Sequence, residues 1–242
     1  MKGKNLETAI ILQARMNSTR RPYKISSLYN GKPLLYWQIK RLKQNRCVDN
    51  IIVATTNTDL DDVTEFIAKQ AGAQIFRGEL DDVMKRYIDA AEYYKVSNII
   101  RVCGDDPLVD PECIEELSQR IELDNNNIIT ASHNKGWLLG TSAEAFSLKN
   151  LKKSYQISST EEKEHVVLNF YKNMDKFNVI KIEPKSFYQE LSFTVDYPED
   201  VENVKDILYY FNGIGFSQKQ LIDELKNNKI KLSYFRQDKY NI

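Results

Sequence analysis

AIILQ at residues 9–13, followed at once by ARMNSTRRPYK at residues 14–24, decides how the rest of the chain is read. A short apolar, β-branched run is a buried strand. The loop that leaves its carboxyl end carries four cations, Arg15, Arg20, Arg21 and Lys24, and two hydroxyls, Ser18 and Thr19. Ligands of open α/β sheets bind outside the carboxyl ends of parallel strands, so this loop lies where an anionic ligand would sit. Arginine offers a planar fork to phosphate oxygens and lysine a compact charge, and together they can hold a triphosphate. A solvated basic loop that caps the next helix is the competing reading. GxxxxGK[ST] and GxGxxG are both absent, which excludes a P-loop and a dinucleotide fingerprint.

Outward from this stretch, short β-branched runs alternate with segments of helical period. Strands are expected at 50–54, 74–76, 98–102 and 127–131, and helices at 33–44, 60–71, 81–94 and 111–121. Leu34, Leu35, Ile39 and Leu42 share one face of the first helix, and Pro111 opens the last. The pattern is that of βα units feeding a largely parallel sheet, an α/β fold. From 132 to about 190 the alternation weakens into a polar turn at 133–136, a segment containing Gly140, a helix at 160–172 and a strand at 178–182. This reads as an insertion on the sheet. LSFTVD at 191–196 then reads as a strand, and PEDVENVKDILYYF at 198–211 as a helix whose Pro198, Glu199 and Asp200 suit its first turn. The tail from 230 reads as an edge strand or a frayed end.

The chain has 242 residues, 42% of them hydrophobic, enough to bury one sizeable core, so a single domain is expected. Thirty-four basic side chains balance 34 acidic ones, which argues against binding nucleic acid by bulk charge. No run approaches the roughly 18 apolar residues of a spanning helix. The start MKGKNLETAIILQAR lacks a signal-peptide cleavage pattern. A cytoplasmic chain with neither nucleic-acid nor membrane partners is expected. Cys47, Cys103 and Cys113 are odd in number and share no CxxC spacing, so neither a disulfide framework nor a zinc site is supported.

The pattern ARxxSTRxPxK from Ala14 to Lys24 resembles the N-terminal signature of the CMP-Kdo and acylneuraminate cytidylyltransferases. The fuller run ILQARMNSTRRPYK, followed by GKPLL, is most similar to the branch of the spore-coat polysaccharide biosynthesis protein F. Further matches follow in order: IIVATT, FRGELDDVMKRY, RVCGDDPLVDP, EHV and FTVDYPEDV. The resemblance implies a Rossmann-like, three-layer, GT-A-like nucleotidyltransferase fold with a mostly parallel sheet and an inserted dimerisation or acceptor segment at about 132–190. It also implies Mg²⁺-dependent transfer of CMP from CTP to a sugar acid, sugar phosphate or related small phosphorylated acceptor, with release of pyrophosphate, for surface polysaccharide or glycoconjugate synthesis. A homodimer is implied too, to which Trp137, Leu138, Leu139 and Phe146 could contribute. The alternatives are a nucleotide-sugar glycosyltransferase and a catalytically silent nucleotide-binding protein.

By this resemblance Gln13, Ala14, Arg15, Ser18, Arg20, Lys24, Asp81 and Gly104 bind the nucleotide, and Lys24, Arg15 and Asp105 are catalytic. Asp105 and Asp196 would hold the metal. Magnesium prefers hard oxygen ligands and commonly takes one or two protein carboxylates. Asp105 and Asp106 could instead only shape the turn before Pro107, and Asp196 only the entry to its helix. Asp81 and Asp82 favour a helix N-terminus in any case. Arg86, Ser142, Glu144 and His165 are acceptor-side candidates. His165, an imidazole beside Glu164, could serve as a base, or could be structural. Two departures stand out. Asn17 and Tyr23 occupy positions where the family loops usually carry glycine, and Ser142 stands where relatives often have an acidic residue.

Overall fold

The computed structural model describes residues 7–18, 21–131, 137–184 and 191–234. The alternation of the first half becomes β1 (Thr8–Gln13), α1 (Leu34–Leu42), β4 (Ile51–Thr56), α2 (Asp62–Ala71), β5 (Gln74–Gly78), α3 (Val83–Tyr93), β6 (Asn98–Cys103), α4 (Pro111–Leu123) and β7 (Asn127–Thr130). A two-residue-strand hairpin, β2 (Leu28–Tyr29) and β3 (Lys32–Pro33), precedes α1. The second half adds β8 (Glu144–Ser147), α5 (Leu148–Ile157), α6 (Thr160–Glu164), α7 (Leu168–Lys172), β9 (Asn178–Lys181), α8 (Pro198–Tyr210) and α9 (Gln218–Lys226).

Seven strands form one sheet in the order β5-β4-β1-β6-β8-β7-β9. β5, β4, β1 and β6 are parallel; β8 runs antiparallel to both β6 and β7, and β9 parallel to β7. The chain leaves β1 towards β4 on one side and returns to β6 on the other. The crevice between β1 and β6 is therefore a topological switch point, the place where such sheets bind ligands.

Alternation along the strands gives each face of the sheet its own apolar layer. Ile10, Leu12, Val53, Ile100 and Val102 pack with Leu35, Ile39, Ile114 and Leu117 on one side. Ile11, Ile52, Ala54, Ile99 and Phe146 pack with Met84, Tyr87 and Phe170 on the other. A third layer joins Tyr29, Leu34 and Leu108 to Phe193, Val195, Val204 and Leu221. Local signals set the boundaries. Asp82 caps α3 through Lys85 N, Asp110 caps α4 ahead of Pro111, and Gly72 ends α2 in a left-handed turn.

The expected strand at 191–196 does not form. Among the described residues its only ladder contact is a bridge from Leu139 to Ser192, because the segment crosses the carboxyl edge of the sheet instead of lying in it. It is held as a strap by Phe193 N donating to Leu139 O (2.8 Å) and Val195 N to Asp105 O (2.7 Å). Gly140 permits this crossing: at φ +87° it lies so close to the strap that a Cβ there would stand 2.5 Å from Phe193 C and Thr194 N. The expected helix at 160–172 breaks into α6 and α7 at Val166, whose φ is +40°. A Ser159–Glu162 capping box starts α6.

Residues 144–147 enter the sheet as β8, between β6 and β7. Trp137, Leu138 and Phe146 are buried within the chain itself, so they are core residues and not a surface for a partner; Trp137 Nε1 donates to Ile182 O (3.1 Å). The turn at 133–136 and residues 235–242 of the tail lie outside the described residues. No helix among the described residues is long and apolar enough to cross a membrane.

Candidate active site

The loop after β1 is fastened before it turns. Met16 N donates to Asp61 Oδ1 (2.8 Å) and Tyr23 N to Met16 O (2.8 Å), and Asp61 also accepts from Thr56 and from Thr64 Oγ1 (2.8 Å). Burial opposes the charge of Asp61, but the hydrogen bonds from Thr56, Met16 and Thr64 outweigh it and lower its pKa. Tyr23 takes the left-handed conformation at φ 62°, a geometry that suits glycine and is costly for an aromatic residue. It launches the 3-10 turn Lys24–Ser26, which points Lys24 inward.

Lys24 Nζ lies 2.8 Å from Asp105 Oδ2 and 3.1 Å from Asp196 Oδ1. The side chains of Lys24 and Asp196 are 9% and 5% exposed, and that of Asp105 is 30% exposed. Three segments distant in sequence meet here. Asp105 is delivered by the end of β6, where Gly104 N donates to Gln13 O (2.8 Å) and a Cβ on Gly104 would come within 3.0 Å of Ala14 Cβ. The strap delivers Asp196, whose backbone N, like that of Tyr197, donates to Asp200 Oδ2 at the start of α8 (2.9 and 2.8 Å). Arg21 binds Tyr197 O (3.1 Å) and ties the basic loop to the same turn.

Burial works against the Lys24 ammonium, yet Asp105 and Asp196 together raise its pKa above the ordinary value. Two carboxylates converge on one cationic position, an oxygen-donor set of the kind a magnesium ion takes. Beside it, Cys103, Asp105 and Asp106 bring possible ligand atoms within 4.8 Å of one another. Asp106 accepts from Thr194 Oγ1 (2.8 Å), and its pKa is pushed well up by burial and by the neighbouring Asp105.

The other candidates are spread over the β1–β6 crevice, the basic loop, the start of α3, β8 and the end of α6. Gln13, Ala14 and Gly104 line the β1–β6 crevice. Arg15 and Ser18 are half-buried on the loop, and Arg20 lies outside the described residues. Asp81 is exposed ahead of α3, while Asp82 caps that helix and accepts from Tyr155 Oη (2.8 Å). Arg86 is buried and donates to Glu79 O and Leu80 O, which shapes the turn after β5. Glu144 pairs with Arg101 NH1 (2.9 Å) across β8 and β6, and Ser142 is half-buried just before β8. His165 is exposed at the end of α6, and among the described residues no hydrogen bond or ion pair links it to the Lys24 centre.

Sequence reasoning missed Asp61, Asp200, Thr194 and Arg101 as site-building residues. Asp200 was legible only as a helix-start carboxylate. Arg101 sits inside the RVCGDDP run, where a charge within an apolar strand is the available signal.

A family model described as cytidylyltransferase matches residues 9–236. An uncharacterized protein of Methanocaldococcus jannaschii is 30% identical over 91% of this chain and 91% of its own length. The spore coat polysaccharide biosynthesis protein SpsF of Bacillus subtilis is 32% identical over 81% of this chain and 83% of its own. A solved cytidylyltransferase structure from Leptospira borgpetersenii serovar Hardjo-bovis is 31% identical and superposes with a TM-score of 0.90, covering 96% of this chain and 99% of that one.

Proposed function

The chain belongs to the cytidylyltransferase family and is a nucleotidyltransferase, and on that premise we propose that it transfers CMP from CTP to an acidic acceptor with release of pyrophosphate. The acceptor is a sugar acid, a sugar phosphate or a related small phosphorylated compound, and the product serves surface polysaccharide or glycoconjugate synthesis, as the name of the Bacillus subtilis relative suggests. The observation that carries this reading is the convergence of Lys24, Asp105 and Asp196 at the switch point of the sheet.

In this reading an acceptor oxygen attacks the α-phosphorus of CTP and the bond to the bridging oxygen breaks, leaving pyrophosphate. Little covalent chemistry falls to the protein, so catalysis is positioning and charge stabilisation. Lys24 and Arg15 neutralise charge that grows on the leaving pyrophosphate, and the Ser18 hydroxyl and the backbone of Gln13 and Ala14 orient the nucleotide. Asp105 and Asp196 would hold Mg²⁺, which supplies Lewis-acid polarisation of phosphate oxygens. His165 is exposed at the end of α6 and is given no proton-transfer role in this reading, in which the acceptor arrives already ionised. The enzyme works in the cytoplasm as a homodimer whose interface uses surface other than Trp137, Leu138 and Phe146.

The test is pyrophosphate release with Mg²⁺ across CTP, UTP, GTP and ATP, using pooled sugar acids and sugar or polyol phosphates, with Asp105→Ala as control. Release confined to CTP, dependent on acceptor and lost in the variant is expected. Release with another triphosphate overturns the base assignment, and a nucleoside diphosphate formed from a nucleotide sugar overturns the reaction class.

A further inference from the structure

The strands of the sheet centre are almost wholly buried, and the exceptions, Thr8 at the amino end of β1 apart, fall in one place. In β6 only Arg101 and Cys103 escape full burial; in β8 only Glu144 does; in β1 it is the terminal Thr8 and Gln13. Register sets Gln13 beside Cys103 and Arg101 beside Glu144. By alternation all four share the face of Ile11, Ile99 and Phe146. Because β8 is antiparallel, its first residue lies at the carboxyl end of β6. Solvent thus reaches a polar strip on one face of the sheet, which continues through Cys103 to Asp105 and the Lys24 centre.

The strip carries unmet hydrogen-bonding capacity of a particular kind. A guanidinium has five N–H donors in a rigid fork. Glu144 takes NH1 of Arg101 at 2.9 Å, with the Arg101 side chain 13% and that of Glu144 19% exposed. Arg101 Nε is buried with no partner among the described residues, and so is Gln13 Oε1. A buried group left unpaired is costly, so both call for a ligand. The flank is ordered by hydroxyls: Tyr87 Oη donates to Ile11 O and Val102 O, and Tyr171 Oη pairs with Thr130 Oγ1 (2.8 Å). A donor fork that seeks an anion, with an amide oxygen that seeks a hydroxyl, matches a hydroxylated acid.

We infer that Arg101, oriented by Glu144, holds the anionic group of the acceptor, so that the acceptor presents a carboxylate or phosphate to this strip while its hydroxyl side meets Gln13. The inference rests on the cytidylyltransferase reading of the site and gives its acceptor an anchor. Arg101 is then a specificity-determining residue, separate from the groups that hold the triphosphate.

The test measures binding of D-gluconate, glycerol 3-phosphate and the neutral D-glucitol to the protein saturated with Mg²⁺ and α,β-methylene CTP. Wild type, Arg101→Met, Arg101→Lys and the double change Arg101→Met with Glu144→Met are compared. The double change removes both charges together, so Glu144 is not left without its cation. At least one anion is expected to bind wild type and D-glucitol not to; whether gluconate or the phosphate binds identifies the anionic group. Arg101→Met and the double variant should lose about tenfold or more in anion affinity, the worth of a charged hydrogen bond, with Arg101→Lys in between. Affinity for the CTP analogue should stay at the wild-type value in all four. Equal anion binding in wild type and Arg101→Met, or binding of neither anion to wild type, overturns the inference. Failure of wild type to bind the CTP analogue instead overturns the nucleotide reading, and the two failures are read in separate titrations.

Discussion

Two of the cations at the carboxyl edge of this sheet, Lys24 and Arg101, have surroundings that differ in kind. Lys24 is shared by Asp105 and Asp196, whereas Arg101 has the single carboxylate of Glu144. The first centre draws on three segments distant in sequence and, among the described residues, sets two carboxylates about Lys24. The second joins two neighbouring strands in register and is balanced. A compact, hydrated ammonium on a flexible stem can move to an arriving phosphate and leave its two carboxylates to another cation, while a planar guanidinium keeps its direction. The difference separates a centre suited to exchange charge from one suited to fixed recognition.

Lys24→Met tests the first centre most severely. Turnover of CTP should fall by about 10²–10³-fold, the effect of deleting a group that stabilises charge in the transition state. Affinity of the free protein for Mn²⁺, followed by electron paramagnetic resonance, should rise as Asp105 and Asp196 lose their cation. Unchanged turnover would erase the contrast with Arg101.

Gly140→Ala acts on only one leg of that centre. Its Cβ would press on the strap that leads to Asp196 while leaving β6 and β8 paired. Denaturant unfolding should show a loss of about 1–3 kcal/mol, since strain at a left-handed position joins a backbone clash. Turnover should fall with it, and acceptor-anion binding should hold.

Acid should separate the centres further. Asp61, which fastens the Lys24 loop, has a lowered folded-state pKa, so its contribution is complete above its unfolded value near 3.8 and is lost as pH falls through the folded one. Stability measured from pH 6 down to pH 2 should therefore drop less steeply in Asp61→Asn than in wild type across that acid range. Parallel profiles would deny the loop this anchor. The smallest effect is expected from Tyr23→Gly. Relief of a left-handed aromatic residue, offset by the extra freedom of glycine when unfolded, leaves a gain of at most about 1 kcal/mol in thermal or denaturant unfolding.

Much of this architecture was legible in the chain. The βα units through residue 131 announce themselves by periodicity, caps and proline positions, because each is stabilised mainly by local and neighbouring contacts. β8 was not: EAFS is four residues, largely buried, and its neighbours in the sheet are β6 and β7, so no short-range pattern marks it. α5 and α9, absent from the sequence reading, are short polar helices whose apolar positions, Leu151 and Leu221 among them, find their partners only in the folded core. LSFTVD misled because a buried strap alternates as a strand does, yet hydrogen-bonds to loop carbonyls. At the site, Lys24, Asp105 and Asp196 were named from motif resemblance and the structure brings them together. Arg101 escaped notice because its meaning depends on Glu144, 43 residues away.

The most direct test of the division between the two centres is the affinity of α,β-methylene CTP with Mg²⁺ for wild type, Lys24→Met and Arg101→Met, measured by calorimetry on folded protein. The account predicts affinity at least about tenfold weaker in Lys24→Met, a charged contact to the triphosphate being lost, and a wild-type value in Arg101→Met. Equal affinities in wild type and Lys24→Met, or a loss confined to Arg101→Met, would contradict it.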